Sequence, residues 1–484
     1  MAFIRKVITK SGATAVQIAH KKSGRIVKLE HIGSAHDQTE LDILMQIAKK
    51  CLFKGQASLF SESELPSLSV TLKNSYSHLL WLELQKQYRL LGFYRLKDDI
   101  FMALCLARLV EPCSKLDSLR VLADLGVNGI DKNQLYRCLA KVVEKDYRHL
   151  IEKACFTDTD AKDLTLVLYD VTTLYFEIQK EDSYRKPGLS KERRLEPQII
   201  IGLLVDRNGF PLSVQSFEGN TAETKTILPV LQAFADQHSL PKITVVADAA
   251  MMSLKNLKTL TDSGYTYIVG SRLNKIPYAI AEYQKQKQGE FTDREIVIDQ
   301  YDNYRIIYQY REKRAKLDRK NIEKQIIKAK RIISGQAPVH RSKFVTIKDR
   351  EKTINQNLIK KAYTLAGIKG YVSNLSSSNQ EIITAYHQLF QVEASFRMAK
   401  SDLKARPVFH RKRDSIEAHL TIVFAALAIG KRIEAKTGVS LKQFVKIMRP
   451  IRTGSVLING KEYMAKELIP PAAETLLKTL RSGH

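Results

Sequence analysis

Residues 164–176 read LTLVLYDVTTLYF, an apolar run with a single acidic residue, Asp170, at its centre. Val, Thr, Tyr and Phe favour β-strands, and the run keeps this composition on both sides of the acid. Because side chains alternate between the two faces of a strand, Leu166, Leu168 and Asp170 share one face. The run predicts a core strand that presents a carboxylate, which requires metal or polar partners there. An aspartate that ends a strand and begins a turn is the alternative interpretation.

The residues that follow predict a sheet with helices packed on it. Two more strand-like runs, 197–206 and 211–217, are joined by Asp206-Arg207-Asn208-Gly209, which is typical of a hairpin turn and gives Asp206 a structural role. A helix is predicted from about Thr221, followed by a strand, a helix and a strand at 243–247, 254–261 and 265–270. The order β-β-β-α-β-α-β is that of the RNase H-like fold, so the predicted class is α/β.

Around this core the patterns divide the chain into five predicted regions. The N-terminal region 1–160 begins with short strands that form a β-hairpin and is then mainly helical. Its helical patterns flank a glycine-containing link at 125–129, which fits a helix-turn-helix DNA reader and equally an ordinary helical bundle. The remaining predicted regions are a first part of the core at 161–275, an inserted domain at 276–366, a second part of the core at 367–435 and a C-terminal region at 436–484.

Charge and composition indicate the kind of partner. The 484 residues include 78 Lys and Arg against 51 Asp and Glu, a formal net charge of +27. Such an excess favours a polyanion, with nucleic acid as the first interpretation and an anionic membrane surface as the alternative. No run of about 18 apolar residues predicts a transmembrane helix, and the first residues do not resemble a signal peptide. Five scattered cysteines without a CxxC pair indicate neither a zinc ribbon nor a disulfide framework, and their odd number favours a reducing cytoplasm.

Two further acids lie where they could act together with Asp170. Asp248 follows the predicted strand 243–247, and ligands of α/β sheets gather at the carboxyl ends of strands. Asp248 could instead cap the next helix, although Ser253 is the better cap. Glu393 lies in a helical pattern. Phosphodiester transfer with two metal ions requires several carboxylates that converge on one point, and all-oxygen ligands favour Mg²⁺ or Mn²⁺.

The helical pattern around Glu393 carries a polar stripe. Tyr386, Glu393, Arg397 and Lys400 follow one another at spacings of seven, four and three, which predicts one helix face with a phenol, a carboxylate and two cations. A surface ion pair between Glu393 and Arg397 is the alternative interpretation.

A basic cluster follows this helical pattern. From 397 to 413 there are seven Lys or Arg and one Asp. Arg406, Arg411 and Arg413 are therefore predicted to contact DNA phosphates, and a solvated helix face is the alternative.

Together these motifs resemble the DDE-type transposases of bacterial insertion sequences, and within them the insertion sequence four-like group. That group has a Tyr-x2-Arg-x3-Glu-x6-Lys signature, which Tyr386, Glu393 and Lys400 match, whereas Leu389 stands at the Arg position. Asp170-Val171-Thr172-Thr173 resembles the group's first-acid motif, and Asp248 is followed by Ala249 where several members have Arg. Residues 219–223 and 406–411 also resemble blocks of this group.

The resemblance implies an RNase H-like catalytic core with an inserted domain, preceded by a mainly helical DNA-binding region. It implies a cytoplasmic, nucleoid-associated bacterial transposase that binds terminal inverted repeats, cleaves at the element ends and transfers the strands to target DNA. Asp170, Asp248 and Glu393 would hold two Mg²⁺ or Mn²⁺ ions, and Tyr386, Arg397 and Lys400 would contact phosphates. Paired ends imply a homodimer on double-stranded DNA. The alternatives are an RNase H-like nuclease without strand transfer and an inactive DNA-binding relic.

Overall fold

A computed structural model of the chain describes residues 2–9, 12–22, 24–52, 70–159, 163–177, 180–188, 196–240, 243–251, 253–288, 290–338, 342–348, 351–458 and 461–481. Its strands are β1 Ala2–Ile8, β2 Thr14–Lys22, β3 Arg25–Ala35, β4 Val70–Tyr76, β5 Leu166–Tyr175, β6 Gln198–Val205, β7 Pro211–Glu218, β8 Thr244–Ala247, β9 Thr266–Ser271, β10 Ile296–Gln300, β11 Arg305–Tyr310, β12 Val345–Lys348, β13 Glu351–Ile354, β14 Ile368–Ser373, β15 Thr453–Ile458 and β16 Lys461–Ala465. Its α-helices are α1 Gln38–Leu52, α2 His78–Leu90, α3 Asp99–Val110, α4 Ser118–Asp124, α5 Lys132–Glu144, α6 Tyr147–Asp158, α7 Ile227–His238, α8 Leu254–Asp262, α9 Tyr278–Gln286, α10 Glu312–Ile333, α11 Gln356–Thr364, α12 Asn379–His387, α13 Phe390–Arg397, α14 Arg413–Thr437, α15 Leu441–Met448 and α16 Pro471–Arg481. Among the described residues, no helix combines the length and the apolar character needed to cross a membrane.

The chain forms two compact units. The first comprises Met1–Thr71 with Leu457–Glu462, and the second comprises Leu72–Val456 with Tyr463–His484. In the first unit, β1, β2 and β3 form an antiparallel sheet in that order, and α1 packs on it around Val16, Ile18 and Ala48. The short strands predicted at the start of the chain are confirmed.

An eight-stranded mixed sheet organises the second unit, in the order β10-β11-β14-β9-β8-β5-β6-β7. β5, β6 and β7 form the predicted antiparallel meander, and β8 and β9 run parallel to β5. The predicted order of elements from β5 to β9 is confirmed, and so is the α/β class. The hairpin turn is also confirmed, because the buried Asp206 carboxylate accepts hydrogen bonds from the backbone N–H groups of Asn208 and Phe210, both at 2.8 Å.

The two faces of this sheet are covered by different helices. Val167 and Val245 belong to a core formed with α7 and α8, whereas Leu168 and Val246 belong to the larger core formed with α13 and α14. Because strand side chains alternate, the residue that follows a buried position by two lies on the same face. Asp170 and Asp248 therefore face the side of the sheet that carries α13 and α14.

The predicted boundary at residue 160 does not coincide with a boundary between compact units. α14 is buried at every position from 418 to 430, and α2, α3, α5 and α6 pack directly against it. In addition, the Arg148 side chain of α6 donates a 2.7 Å hydrogen bond to the Glu417 carboxylate of α14. The N-terminal helices thus share one apolar core with the helix that follows the Glu393 region.

Residues 276–366, predicted as an inserted domain, are also not a separate compact unit. β10 and β11 extend the main sheet, because β11 pairs antiparallel with β14 from Arg305 to Tyr310. Beyond this pair, α10, α11 and the hairpin of β12 and β13 surround a small core of their own that contains Ile322 and Phe344. The segment is therefore an extension of the sheet followed by a helical projection.

Glu152 of α6 is a buried acid that joins the N-terminal helices to β7. Its carboxylate accepts hydrogen bonds from the Ser213 hydroxyl at 3.0 Å and from the Val214 backbone N–H at 2.9 Å. Burial raises the pKa of Glu152 to about 7, well above its ordinary value of 4.5. Well below pH 4.5 the group is protonated in the folded and the unfolded chain alike, so it contributes nothing to the pH dependence of stability there.

We expect this group to lower the stability of the chain as the pH rises from about 5 to 7, where only the unfolded chain ionises it. Replacing it, as in Glu152→Gln, should remove that loss, which amounts to roughly 3 kcal/mol in the free energy of unfolding. The measurement is urea unfolding of both proteins across this pH range. A difference between the two proteins that does not change with pH would contradict the prediction.

Candidate active site

Asp170 and Asp248 lie next to each other on neighbouring parallel strands. The register of β5 and β8 pairs Leu168 with Val246 and Tyr169 with Ala247, and each aspartate is the next residue of its chain. Asp170 is partly buried, and Asp248 is exposed. Because partners in register point to the same face, the two carboxylates project together toward α13 and α14. The alternative in which Asp170 begins a turn is excluded, since β5 continues to Tyr175.

Asp248 is not the cap of the helix that follows it. Ser253 caps α8, because its hydroxyl accepts a 3.1 Å hydrogen bond from the Asn256 backbone N–H. The Asp248 carboxylate accepts instead from the Ala249 backbone N–H at 2.7 Å and from the Tyr386 hydroxyl at 3.3 Å. The preference for Ser253 as the cap is therefore confirmed, and Asp248 keeps an exposed carboxylate at the end of its strand.

Glu393 is presented by a helix that the β6–β7 hairpin holds in place. Val392 and Phe396 are buried on α13, whereas Glu393 is exposed. The Ser395 hydroxyl donates a 2.6 Å hydrogen bond to the Gly209 carbonyl oxygen of the hairpin turn. This contact, together with the packing of α13 on β5, fixes the helix over the strand that carries Asp170.

Tyr386 and Lys369 lie close to both Asp248 and Glu393. Burial raises the pKa of Tyr386, and the carboxylates of Asp248 and Glu393 raise it further. Burial lowers the pKa of Lys369, as does the charge of Arg314, while the same two carboxylates act in the opposite direction. The Lys369 Nζ lies 4.3 Å from the centre of the Tyr386 ring. The hydrogen bond of the Tyr386 hydroxyl to Asp248 and this ring contact place Asp248, Tyr386 and Lys369 side by side, within the electrostatic influence of Glu393.

The single helix face predicted for Tyr386, Glu393, Arg397 and Lys400 is wrong. Tyr386 belongs to α12, whereas Glu393 and Arg397 belong to α13. Lys400 lies in a π-helix, Met398–Asp402, where the Leu403 N–H bonds to the Met398 carbonyl five residues earlier. A π-helix has a wider turn than an α-helix, so a spacing of seven no longer keeps two residues on one face.

The predicted phosphate-contacting residues therefore lie in different environments. Arg397 is exposed on α13, and Lys400 lines a small apolar cavity of about 40 Å³ with Thr172 and Leu174 of β5. Arg411 is exposed. The guanidinium groups of Arg406 and Arg413 lie over the rings of Tyr175 and Tyr184, at 5.5 and 4.8 Å from the ring centres.

The donor set of the site fits a hard divalent cation. Two adjacent carboxylates, with a third on the facing helix, supply only oxygen ligands, which Mg²⁺ and Mn²⁺ prefer. Within the described residues, however, no three His, Cys, Asp or Glu side chains already form a group that could hold a metal ion. Of the three acids, the sheet therefore brings together only the two aspartates, Asp170 and Asp248.

Because Gly270 of β9 has no side chain, the Tyr386 hydroxyl can occupy the space beside it. A Cβ atom at this position would lie 2.7 Å from that hydroxyl and 3.2 Å from the Ala249 Cβ. We expect Gly270→Ala to push Tyr386 away from Asp248 and to lower the free energy of unfolding by roughly 1–3 kcal/mol.

Removing the hydroxyl by Tyr386→Phe should relieve most of this cost. The double variant should therefore be more stable than the sum of the two single effects, by about 0.5–3 kcal/mol. Urea unfolding of the four proteins measures this coupling. Additive effects would show that Gly270 does not make room for the hydroxyl.

Sequence reasoning missed Lys369. It stands at the start of β14, in Ile368-Lys369-Gly370-Tyr371, where a lysine is typical of a solvated strand end. Its place near the acids depends on the pairing of β14 with β9, which is a contact between residues about 100 positions apart in the chain. No local pattern in the sequence indicates it.

Comparisons with known proteins show the family of the chain. A family model described as the transposase DDE domain matches residues 160–429, more than half of the chain. Among solved structures, a piggyBac transposase in a synaptic complex with hairpin DNA is similar, with a TM-score of 0.42 and 10% sequence identity over 73% of this chain and 69% of that one. A search of curated proteins finds no match. The matched region includes Asp170, Asp248 and Glu393, and the chain belongs to the transposase DDE domain family.

Proposed function

We propose that this chain is the transposase of a bacterial insertion sequence, with an RNase H-like core that cuts and joins DNA by a cut-and-paste reaction. The observation that carries the proposal is the pair of carboxylates, Asp170 and Asp248, set side by side on parallel strands and facing the helix of Glu393. A phosphodiester bond held beside Asp170 and Asp248 would lie on the side of the sheet that carries the helix of Glu393.

Asp170, Asp248 and Glu393 would hold two Mg²⁺ or Mn²⁺ ions. When bound, such ions activate the attacking oxygen and stabilise the leaving oxygen of a phosphodiester. The protein's own groups orient the acids: the Tyr386 hydroxyl donates to Asp248, and the hairpin holds α13. Water is the attacking group when an end is cleaved, and the resulting 3′-hydroxyl is the attacking group when it is joined to target DNA.

Basic residues beyond the acids would hold the double-stranded DNA. Arg397, Arg411 and Arg413 are exposed, and Arg406 and Lys400 are partly buried. Such contacts position the backbone without reading sequence. Tyr386 is buried and bonded to Asp248, which favours a positioning role for it over direct phosphate contact.

The N-terminal region 1–160 would recognise the terminal inverted repeats. The link at 125–129 joins α4 to α5, and α5 presents Asn133, Tyr136 and Arg137 outward at a spacing that places them on one face. Side chains of these types form hydrogen bonds to base edges in the major groove. Paired ends would require a homodimer of the chain on DNA.

Metal removal tests the reaction. Purified protein with duplex DNA from the sequences that flank its gene should produce end cleavage in Mg²⁺ or Mn²⁺, and joined products when a target plasmid is added. EDTA should stop cleavage without releasing the bound DNA, because phosphate contacts, not the metal, supply most of the affinity. Undiminished cleavage in EDTA would contradict the two-metal reaction, and cleavage without any joined product would indicate a nuclease.

A further inference from the structure

Lys369 is a cation placed beside the acids. It begins β14, is partly buried, and its ammonium lies 4.3 and 5.7 Å from the ring centres of Tyr386 and Tyr371. The charges of Asp248 and Glu393 both act on it. Among the described residues, no carboxylate lies within ion-pair distance of this ammonium. The ammonium therefore lies in the field of the acids without being neutralised by one of them.

Two arginines continue the positive charge from Lys369 along the surface. Arg311 and Arg314 lie at the start of α10, and the Arg311 backbone N–H bonds to the Gly367 carbonyl at 2.9 Å, which ties α10 to the residues just before β14. Arg314 lies close enough for its charge to act on Lys369 and Tyr371. We name Lys369, Arg314 and Arg311 the basic row.

The outer members of the basic row are accessible. The side chains of Arg311 and Arg314 are 42% and 47% exposed. Each lies near an aspartate: the Arg311 Nε lies 3.7 Å from Asp293, and the Arg314 Nε lies 3.4 Å from Asp318. Surface pairs of this kind are weak and exchange readily for a phosphate partner.

The net charge of the three acids would determine which anion pairs with Lys369 once metal ions were bound. If Asp170, Asp248 and Glu393 held two divalent ions, the negative charge of the three carboxylates would be more than neutralised, and the acids would no longer attract the ammonium. A partly desolvated ammonium still requires an anion nearby. The anion that this site must accept is the phosphate of the strand to be cut, whose neighbouring phosphates follow at the spacing of the backbone.

We propose that Lys369 binds a phosphate oxygen of the cleaved strand at or next to the scissile phosphate, and that Arg314 and Arg311 guide the same strand into the site. The proposal rests on the proposed function of the chain. It assigns a DNA-contacting role to a strand residue and to the start of α10, both outside the polar stripe around Glu393.

A purely structural role for Lys369 is the competing explanation. In that case the side chain only packs its methylene groups and its charge on the rings of Tyr386 and Tyr371. Methionine fills the same volume without charge, and arginine keeps the charge and the ring contact. A charge-dependent role and a packing role therefore differ in how these two replacements behave.

The test combines replacements in the protein with neutralised phosphates in the DNA. Lys369→Met, Lys369→Arg and the control Lys478→Met are compared on duplexes from the flanking DNA in which single phosphates near the cut are replaced by uncharged methylphosphonates. Lys478 is an exposed residue of α16 that forms an ion pair with Glu474 at 2.9 Å, four residues earlier. Thermal unfolding of each variant shows whether the fold is intact.

We expect Lys369→Met to slow single-turnover cleavage by roughly 100-fold, Lys369→Arg to restore much of the rate, and the Lys478 control to act as wild type. One methylphosphonate should slow the wild-type protein and have little further effect on Lys369→Met, because both changes remove the same contact. In EDTA, Lys369→Met should also lower the salt dependence of log K for binding by about 0.9.

Two results would separate the inference from the function on which it rests. If the wild-type protein cleaves and every methylphosphonate slows Lys369→Met as much as it slows wild type, Lys369 does not contact a phosphate, while the transposase function stands. If the wild-type protein does not cleave flanking DNA in any divalent metal, the proposed function fails, and the inference fails with it.

Discussion

Asp170→Ala, Asp248→Ala and Glu393→Ala are each expected to reduce end cleavage by roughly 1,000-fold or more. Asp170 and Asp248 are set in register on parallel strands, so removing one leaves the other without the partner that completes an ion site. Affinity for DNA should change only a few-fold, because phosphate contacts lie outside the acids. Rates of cleavage and binding curves in Mg²⁺ measure the two effects separately.

A matched control is available on the opposite face of the sheet. Asp236 is an exposed aspartate of α7, which packs on the face that Asp170 and Asp248 do not share. Its replacement by alanine should leave cleavage unchanged. Among the three replacements, Glu393→Ala is the most informative test, because Glu393 does not form a three-ligand group with the two aspartates in this structure. Near wild-type cleavage by Glu393→Ala would assign the third ligand to another residue.

A chain shortened to begin at residue 156 is expected to lose its cooperative fold, whereas one that begins at residue 72 should keep it. The difference lies in α2, α3, α5 and α6, which cover α14. Without them the central part of α14 would expose large apolar side chains, such as Leu420, Phe424 and Leu427. Each contributes about 1.5–3 kcal/mol on burial, against a total stability of roughly 5–15 kcal/mol.

Thermal and urea unfolding of the two shortened chains measure this prediction. The chain from residue 72 contains the whole second compact unit and, in addition, Leu457–Glu462 of the first. It should unfold in one cooperative transition, and the chain from residue 156 should bind apolar dyes and unfold gradually. A sharp transition in the shorter chain would show that the core from β5 onward is an independent domain after all.

Much of the sheet could be predicted because its signals are local. Alternation and composition locate β5, β6 and β7, and the Asp-Arg-Asn-Gly turn fixes the hairpin between the last two. Asp248 could be placed at the end of its strand because Ser253 is a better cap, and the structure confirms that choice. These features depend on residues within a few positions of one another.

The parts that could not be predicted depend on distant contacts or on departures from regular periodicity. The pairing of β11 with β14 joins residues about 60 positions apart, such as Tyr308 and Gly370, and turns a predicted insertion into an extension of the sheet. The sequence prediction assumes a regular α-helix, with about 3.6 residues per turn. The π-helix at Met398–Asp402 has a wider turn, so Lys400 does not lie on the same helix face as Glu393. Lys369 reaches the acids only through such distant pairing.

The central position of α14 has a consequence for how the protein is made. During synthesis the N-terminal helices emerge first, but the helix that buries their apolar faces ends only at Thr437. Until the ribosome has passed this point, these helices lack most of their core and are exposed to chaperones and proteases. A gene interrupted by a stop codon before residue 437 should therefore yield fragments that are degraded rather than shorter proteins that fold.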